Sequence, residues 1–400
     1  MSRLEELIEK LCPGGVEFVR INDCVEKIKN IKWAESKDVE YQYIDLTSVD
    51  RETHQISETQ TIKAENAPGR AQQIVQTGDV LLGSTRPMLK RYCLIGEEYD
   101  SQICSTGFCV LRANESVALQ KWIYYQVAST EFFVHVEKYQ KGASYPAISD
   151  AEVKSFQIPL PPLPVQREIV RILDNFTELT AELTAELTAE LTARKKQYEY
   201  YRYLLLSFDD NPAVEWMTLG EACSMKAGKA ISSNEISDTR SDDFPYPCYG
   251  GNGLRGYVKT YNQTGEAPLI GRQGALCGNV CFAVSEYYAT EHAVVVAHGE
   301  KFNPRFLFYL LTAMNLNQYK TAGAQPGLSV AKLEKIIVPV LPLDEQERIV
   351  AILDRFDALC NDLTSGLPAE IEARRKQYEY YRDKLLTFPA HPAGEKEATA

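Results

Sequence analysis

Ile158–Phe208 reads IPLPPLPVQREIVRILDNFTELTAELTAELTAELTARKKQYEYYRYLLLSF, and Val338–Phe388 reads VPVLPLDEQERIVAILDRFDALCNDLTSGLPAEIEARRKQYEYYRDKLLTF. One offset of 180 residues registers the two: Gln166 on Gln346, Ile169-Val170 on Ile349-Val350, and Ile172-Leu173-Asp174 on Ile352-Leu353-Asp354. The heptapeptide KQYEYYR at 196–202 recurs unchanged at 376–382. Chance does not produce such an identity inside so long a register. The chain is an internal duplication, and the repeat governs every further assignment.

Each shared region opens with a short apolar strand that runs into a proline cluster, Pro159–Pro164 or Pro339–Pro342. Proline cannot continue a strand ladder but suits the lead-in to a helix. Val165–Phe208 contains neither Pro nor Gly. Such a segment predicts a helix of about 66 Å at about 1.5 Å per residue, too long to stand without a packing partner. Its centre is low-complexity, LTAE three times and then LTAR. Leu179, Leu183, Leu187 and Leu191 make a stripe at spacing four, which drifts about 40° per unit around a helix. The second copy keeps the stripe as Leu359, Leu363, Leu367 and Ile371, but Gly366 and Pro368 should break or kink its helix. These leucines are expected to zip the two shared helices into an antiparallel coiled pair. Neighbouring tyrosines lie about 100° apart on a helix. Tyr198, Tyr200, Tyr201 and Tyr203, with Tyr378, Tyr380 and Tyr381, therefore cannot all face that pair, and some are left for a partner subunit.

The segments ahead of the shared regions echo one another more faintly. GVEFVRI at 15–21 resembles AVEWMTL at 213–219, and Gly142-Ala143 and Ser149 correspond to Gly323-Ala324 and Ser329. Short β-prone runs, among them Tyr41–Leu46, Asp79–Gly83, Phe108–Leu111, Ala267–Ile270 and Ala293–Ala297, are divided by Gly, Pro and Asn. Helical stretches are expected at 118–138 and 303–320. The predicted fold is α+β: two globular mixed domains joined by two long antiparallel helices, with an internal pseudo-twofold repeat. Its predicted boundaries are 1–155, a helical spacer 156–210, 211–335, a second spacer 336–388, and a disordered tail 389–400.

The 400 residues carry 43 basic and 55 acidic side chains, a net charge of −12. That argues against a nucleic-acid binder acting alone, because phosphate neutralisation needs Lys and Arg. Residues 211–335 are charge-balanced while the remainder is acidic, so any DNA contact is local or shared with a basic partner. No apolar run reaches membrane-spanning length. The acidic-amphipathic start and ten scattered cysteines without a C-x-x-C pair fit a reducing, cytoplasmic setting.

Catalytic motifs fail on inspection. Neither Asn211-Pro212-Ala213 nor Asn303-Pro304-Arg305 supplies the Pro-Pro-aromatic element an adenine-N6 methyltransferase needs. Gly251–Gly256 matches G-x-G-x-x-G, but a strand-like YVKTY follows, so it reads as a glycine-rich hairpin. Ala227-Gly228-Lys229-Ala230 lacks the Ser or Thr and the upstream Gly of a P-loop. Glu152-Val153-Lys154 reads as a solvated helix face, and the five histidines share no metal-binding or base spacing. Binding is the function class that remains.

Two variable domains alternating with two repeated helical regions resemble the specificity subunit of a type I restriction–modification enzyme, of the kind with LTAE/TAEL central repeats. The residues carrying the resemblance are QREIVRILD at 166–174, QERIVAILD at 346–354, the LTAE run and KQYEYYR. Gly78–Pro87 (GDVLLGSTRP), Gly142–Ser149 (GASYPAIS) and Pro268–Val280 (PLIGRQGALCGNV) add to them. The resemblance covers nearly all of 14–388. It implies a non-catalytic subunit whose two target recognition domains each read half of an asymmetric, bipartite site on double-stranded DNA. It implies two methylation subunits, which methylate adenine N6 with S-adenosylmethionine, and restriction subunits that use ATP and Mg2+. No cofactor or metal is expected on this chain. The candidate partner and spacer residues are Leu179, Leu183, Leu187, Leu191, Tyr198, Tyr201, Leu359, Leu363, Tyr378 and Tyr381.

Candidate base readers are polar side chains on glycine-rich turns, where backbone can approach DNA closely. In the first domain they are Arg86, Lys90, Arg91, Lys141, Ser144 and Tyr145. In the second they are Asn252, Arg255, Arg272, Gln273, Asn279 and Gln325. Arg pairs bidentately with guanine, and Asn or Gln with adenine. The alternative is a non-catalytic coiled-coil scaffold carrying two protein-binding domains. A single-chain methyltransferase is a further alternative, which the missing Pro-Pro-aromatic element disfavours.

Overall fold

The computed structural model describes residues 2–208, 214–274, 276–321, 327–362 and 364–391. The chain forms two compact units, Met1–Ala185 with Glu372–Ala400, and Glu186–Ile371. Each unit therefore combines one variable domain with parts of both shared regions, so the units divide at other points than the four expected segments. Both cuts fall inside shared helix, the first within the LTAE run.

The first unit is built on two four-stranded sheets. One runs Val25–Glu26, Phe108–Ala113, Val80–Gly83, Tyr92–Leu94, antiparallel throughout. The other runs Gln60–Ile62, Tyr41–Ile44, Ile103–Ser105, Ala71–Ile74, with a parallel pairing between Tyr41–Ile44 and Ile103–Ser105. A separate ribbon pairs Glu17–Arg20 with Gln157–Leu160. Helices Gln120–Ala128 and Thr130–Tyr139 fill the 118–138 stretch, interrupted where Ser129 caps the second.

The second unit repeats this order strand for strand. Ser224–Ala227, Ala293–Ala297, Ala267–Gly271 and Val280–Ala283 make one sheet; Gly253–Val258, Tyr246–Gly250, Glu286–Ala289 and Gln263–Thr264 make the other, again with one parallel pairing. The ribbon is Glu215–Thr218 with Ile337–Val340. The GVEFVRI and AVEWMTL echo is explained: both segments pair with the strand that precedes a proline cluster. Gly251-Asn252 joins two antiparallel strands, the hairpin read from the glycines.

The first shared helix runs unbroken over Leu163–Leu205. The second is two helices, Leu343–Asn361 and Leu367–Leu386, divided at Gly366, with Pro368 in the first turn of the latter. Proline is tolerated there because the first-turn N–H has no helical acceptor. In the first unit Thr177 and Tyr378 share a hydroxyl hydrogen bond of 2.8 Å, and the Phe176 and Tyr381 rings stack at 6.2 Å. In the second unit Tyr198 and Tyr201 stack on Phe356 at 6.0 and 5.5 Å.

The leucine stripe is not the zip it was expected to be. Leu179 is 62% exposed and Leu359 is exposed as well. Leu183, Leu187 and Leu191 are only half-buried, and Leu363 lies outside the described residues. A stripe at spacing four rotates off any one partner, and of these leucines Leu191 packs against the core of the second unit, beside the aromatic contacts. At the C-terminus the Val16 N–H donates to Pro389 O and the His391 N–H to Val16 O, both at 2.9 Å. Residues 389–391 are thus paired with the start of the first domain and are not part of the disordered tail expected over 389–400; 392–400 lie outside the described residues.

Candidate nucleic-acid interface

The two shared regions hold their domains through the same buried side chains. Gln166, fully buried, accepts from Leu119 N at 3.0 Å and donates to Val117 O and Pro161 O. Gln346, also fully buried, accepts from Asn303 N at 2.8 Å and donates to Lys301 O and Leu341 O. One side chain thereby ties the strand-to-helix corner to the backbone ahead of the domain helix. Two turns on, Asp174 takes Lys121 and the Tyr125 hydroxyl, while Asp354 takes Arg305 and the Tyr309 hydroxyl. These residues matched in the repeat, but the pattern gave them no role; the registered Gln and Asp were the available signal.

In the first unit, Ser84–Arg86 leaves the end of strand Val80–Gly83 and is laced to the 141–148 loop. Ile148 N donates to Ser84 O at 2.9 Å, Thr85 bridges Ala147, and Arg86 N donates to Pro146 O at 2.7 Å. Lys141 and Ala147 close that loop with a reciprocal pair of 2.8 Å bonds. Gly142 turns it at φ +104°, with Tyr145 O only 3.0 Å from where a Cβ would stand. Arg86, Lys141, Ser144 and Tyr145 all lie on this exposed rim. The Arg86 guanidinium sits 4.4 Å over the Tyr145 ring.

The other first-domain candidates have different surroundings. Lys141 pairs with Glu152 at 2.9 Å. That contact and the Ser149 cap hold the Glu152 carboxyl down to about 2. Lys90 lies beyond the Pro87–Leu89 turn, with its ammonium 5.1 Å over Phe133. Arg91 is half-buried, and its Nε has no hydrogen-bond partner.

The second unit repeats the lacing at the matching place. Leu328 N donates to Arg272 O at 2.8 Å and Gln273 bridges Gly327. Arg272, Gln273, Gly274, Thr321 and Ser329 line an open cleft of about 400 Å³. The Gly251-Asn252 turn presses on this loop so closely that a Cβ on Gly271 would stand 1.9 Å from Gly251 O. Gly251 is thereby brought against Gln273 as well, whose carbonyl oxygen would stand 2.9 Å from a Cβ on Gly251. Arg255 donates instead to Ser233 Oγ at 2.9 Å. Asn279 closes the far side of the loop through its carbonyl, which accepts from Gly271 N at 2.9 Å, and leaves its side chain exposed. Gln325 lies outside the described residues.

Among the described residues no cluster of His, Cys, Asp and Glu could hold a metal ion, and no helix is long and apolar enough to cross a membrane. All ten cysteines are free.

A family model described as the type I restriction modification DNA specificity domain matches the chain twice, over residues 13–193 and 213–373. The chain thus belongs to the family of type I restriction–modification specificity subunits, in which DNA sequence recognition is the assigned task. It is 51% identical over 230 residues to the EcoprrI specificity subunit of Escherichia coli, a match spanning 56% of this chain and 57% of that subunit. It is 36% identical over 310 residues to the EcoR124I/EcoR124II specificity subunit of the same organism, covering 70% and 74%. Among solved structures, the HsdS subunit from Thermoanaerobacter tengcongensis shares the fold at a TM-score of 0.58 and 24% identity, covering 94% of this chain and 97% of that one. A chain from a type I R-M system solved to study complex assembly and conformational transition reaches 0.74 at 23% identity, covering 94% and 98%.

Proposed function

We propose that this chain is the non-catalytic DNA-reading subunit of a cytoplasmic type I complex. Each unit contacts one half of an asymmetric bipartite site on double-stranded DNA. The observation that carries this reading is the pair of laced loops at matching positions of the two units, 84–86 with 141–148 and 272–274 with 327–328. Equivalent scaffolds hold different side chains there, as two half-sites of different sequence require. Phosphate contacts supply affinity and base contacts supply sequence. An acidic chain needs much of the former from its partners.

Those partners are two methylation subunits, one for each shared region, and restriction subunits. Adenine N6 methylation with S-adenosylmethionine and ATP- and Mg2+-dependent cleavage reside on them, and this chain holds no cofactor. The shared helices leave Tyr200, Tyr203 and Tyr380 exposed, Tyr203 at 72%, beside the buried Tyr198. Exposed aromatic groups of this kind suit a protein interface. A light-scattering mass should show two methylation subunits per chain at saturation; saturation at one would refute the stoichiometry. Genome-wide mapping of methylated adenines, with and without this gene, should reveal one bipartite motif lost on deletion. An unchanged methylome in cells expressing the methylation subunits would overturn the reading.

A further inference from the structure

Arg86 occupies a backbone position that a glycine would fill more easily. Its φ is +48°, a left-handed value that long side chains avoid. The lacing identifies its counterpart. Ser84 and Arg272 accept from Ile148 and Leu328, Thr85 and Gln273 bridge Ala147 and Gly327, and the next residues are Arg86 and Gly274. Gly274 sits at φ +92°. The first unit thus places an arginine where the second uses glycine.

That arginine is left unpaired. Among the described residues its guanidinium makes no hydrogen bond or ion pair, although the chain has 55 acidic side chains. Arg112, by contrast, is clamped on Asp79 by bonds of 2.9 and 2.7 Å, and Lys141 on the same rim is paired with Glu152. The Arg86 head group lies over the Tyr145 ring, itself 70% exposed. A ring contact orients a guanidinium without using any of its five N–H donors. The backbone beneath is fixed by two bonds, from Ile148 N to Ser84 O and from Arg86 N to Pro146 O, which bracket the Thr85–Ala147 bridge. The result is a rigid, outward, unsatisfied donor fork on an exposed rim.

We infer that Arg86 is a specificity-determining residue that reads one guanine of the first half-site through O6 and N7 in the major groove, with Tyr145 as its positioning residue. The inference rests on the DNA-reading role given above. The fork geometry matches the two guanine acceptors. A phosphate contact would add affinity to every duplex alike and carry no preference for one base.

The experiment uses the complex with its methylation subunits and sites selected from a randomised duplex pool. The wild-type complex should require guanine at one position of one half-site. Arg86→Lys and Arg86→Gly should both lose that requirement and weaken binding to the wild-type site by roughly 5- to 100-fold, with every other position and the second half-site unchanged. Deazaguanine, which lacks N7, should weaken the wild-type complex at that position and leave Arg86→Gly unaffected. Tyr145→Phe should keep the guanine preference and Tyr145→Ala should relax it. The proposal is overturned if Arg86→Lys selects the wild-type site, or if Arg86→Gly weakens all duplexes evenly with a shallower salt dependence. A wild-type complex that selects no bipartite site overturns the DNA-reading role itself, and this inference with it.

Discussion

The same hairpin is built twice in this molecule and capped in opposite ways. In the first unit, Tyr41–Ile44 and Gln60–Ile62 are joined by the long segment 45–59. In the second, Tyr246–Gly250 and Gly253–Val258 are joined by Gly251-Asn252 alone. The long segment carries a turn at Leu46–Ser48 and a bridge between Val49 and Ile56, and is pinned where His54 stacks on Tyr92 at 3.8 Å. The short turn is pinned by contact with Gly271. Strand order and the Gln and Asp anchors are nevertheless common to both units. Closing a longer loop costs little, so tips can diverge while buried strands and anchors fix the frame. Recognition should therefore be separable from architecture.

The largest expected effect comes from exchanging a whole variable domain. Replacing residues 213–335 with the equivalent domain of a relative should change one half-site completely and leave the other intact. Gln346 docks this domain through the backbone of Lys301 and Asn303, so those contacts tolerate sequence change; the Arg305 and Tyr309 contacts to Asp354 must be kept. Methylome sequencing of the chimera is the check. Changes in both half-sites would show that the units are not independent readers.

Next in size is Gln166→Leu. It leaves the Leu119 N–H and the Val117 and Pro161 carbonyls without their partner in a buried corner. At about 1–3 kcal/mol for each unsatisfied group, the three together should cost the first unit about 3–9 kcal/mol. Gln346→Leu should cost the second unit a similar amount. Hydrogen exchange separates the two, since protection should fall in strand Phe108–Ala113 for the first variant and in Ala293–Ala297 for the second. A large cost in only one unit would break the equivalence of the anchors.

The duplication, the strand runs at 79–83, 108–111 and 293–297, and the break at Gly366-Pro368 could be read from the chain because period, β-branched runs and proline act locally. The clustering of Arg86 with Tyr145, or of Gln273 with the Gly251-Asn252 turn, could not. Those contacts join residues far apart in sequence through backbone bonds that any side chain can make. The pairing of Val16 with Pro389 and His391 was hidden for the same reason. The leucine stripe misled because spacing four reports a helix face without saying whether a partner follows its drift. Nor does a glycine-rich setting reveal that the Arg255 guanidinium donates to Ser233.

Deleting Leu187–Glu190 tests the helix rather than the domains. One LTAE unit contributes about 6 Å and about 40° to a continuous helix. One base pair contributes about 3.4 Å and about 34–36°. The rotations match, and a misphased reader faces the wrong groove, whereas a gap of about 3 Å can be absorbed by DNA bending. The non-specific spacer should shorten by about one base pair while both half-sites remain. Assay on duplexes whose spacers differ by single base pairs decides it. An unchanged optimum in an active complex would make the run mere helix filler.

The smallest effect belongs to the long hairpin segment alone. Burial pushes the His54 imidazole down to about 4; nearby Arg382 and Lys90 add to the shift and Asp50 opposes it. Its Nδ1 is buried without a hydrogen-bond partner. Below about pH 6.5 the unfolded segment takes up a proton that the folded segment refuses. The stabilisation is thus full above that pH and declines as the pH falls towards 4, by about 2 kcal/mol at pH 5. Carboxylates held low, such as Asp50, lose their contribution only at more acid pH. The window between about pH 6.5 and 5 therefore isolates the histidine. Asn accepts His54's φ of +55° and does not titrate there. His54→Asn should be less stable near neutrality, because the stack on Tyr92 is gone, yet flat across this window. Exchange protection of Tyr41–Ile44 should report both changes, and Tyr246–Gly250, whose two-residue cap has no histidine, should report neither. A wild-type slope that survives in His54→Asn would assign the acid sensitivity elsewhere in the first unit.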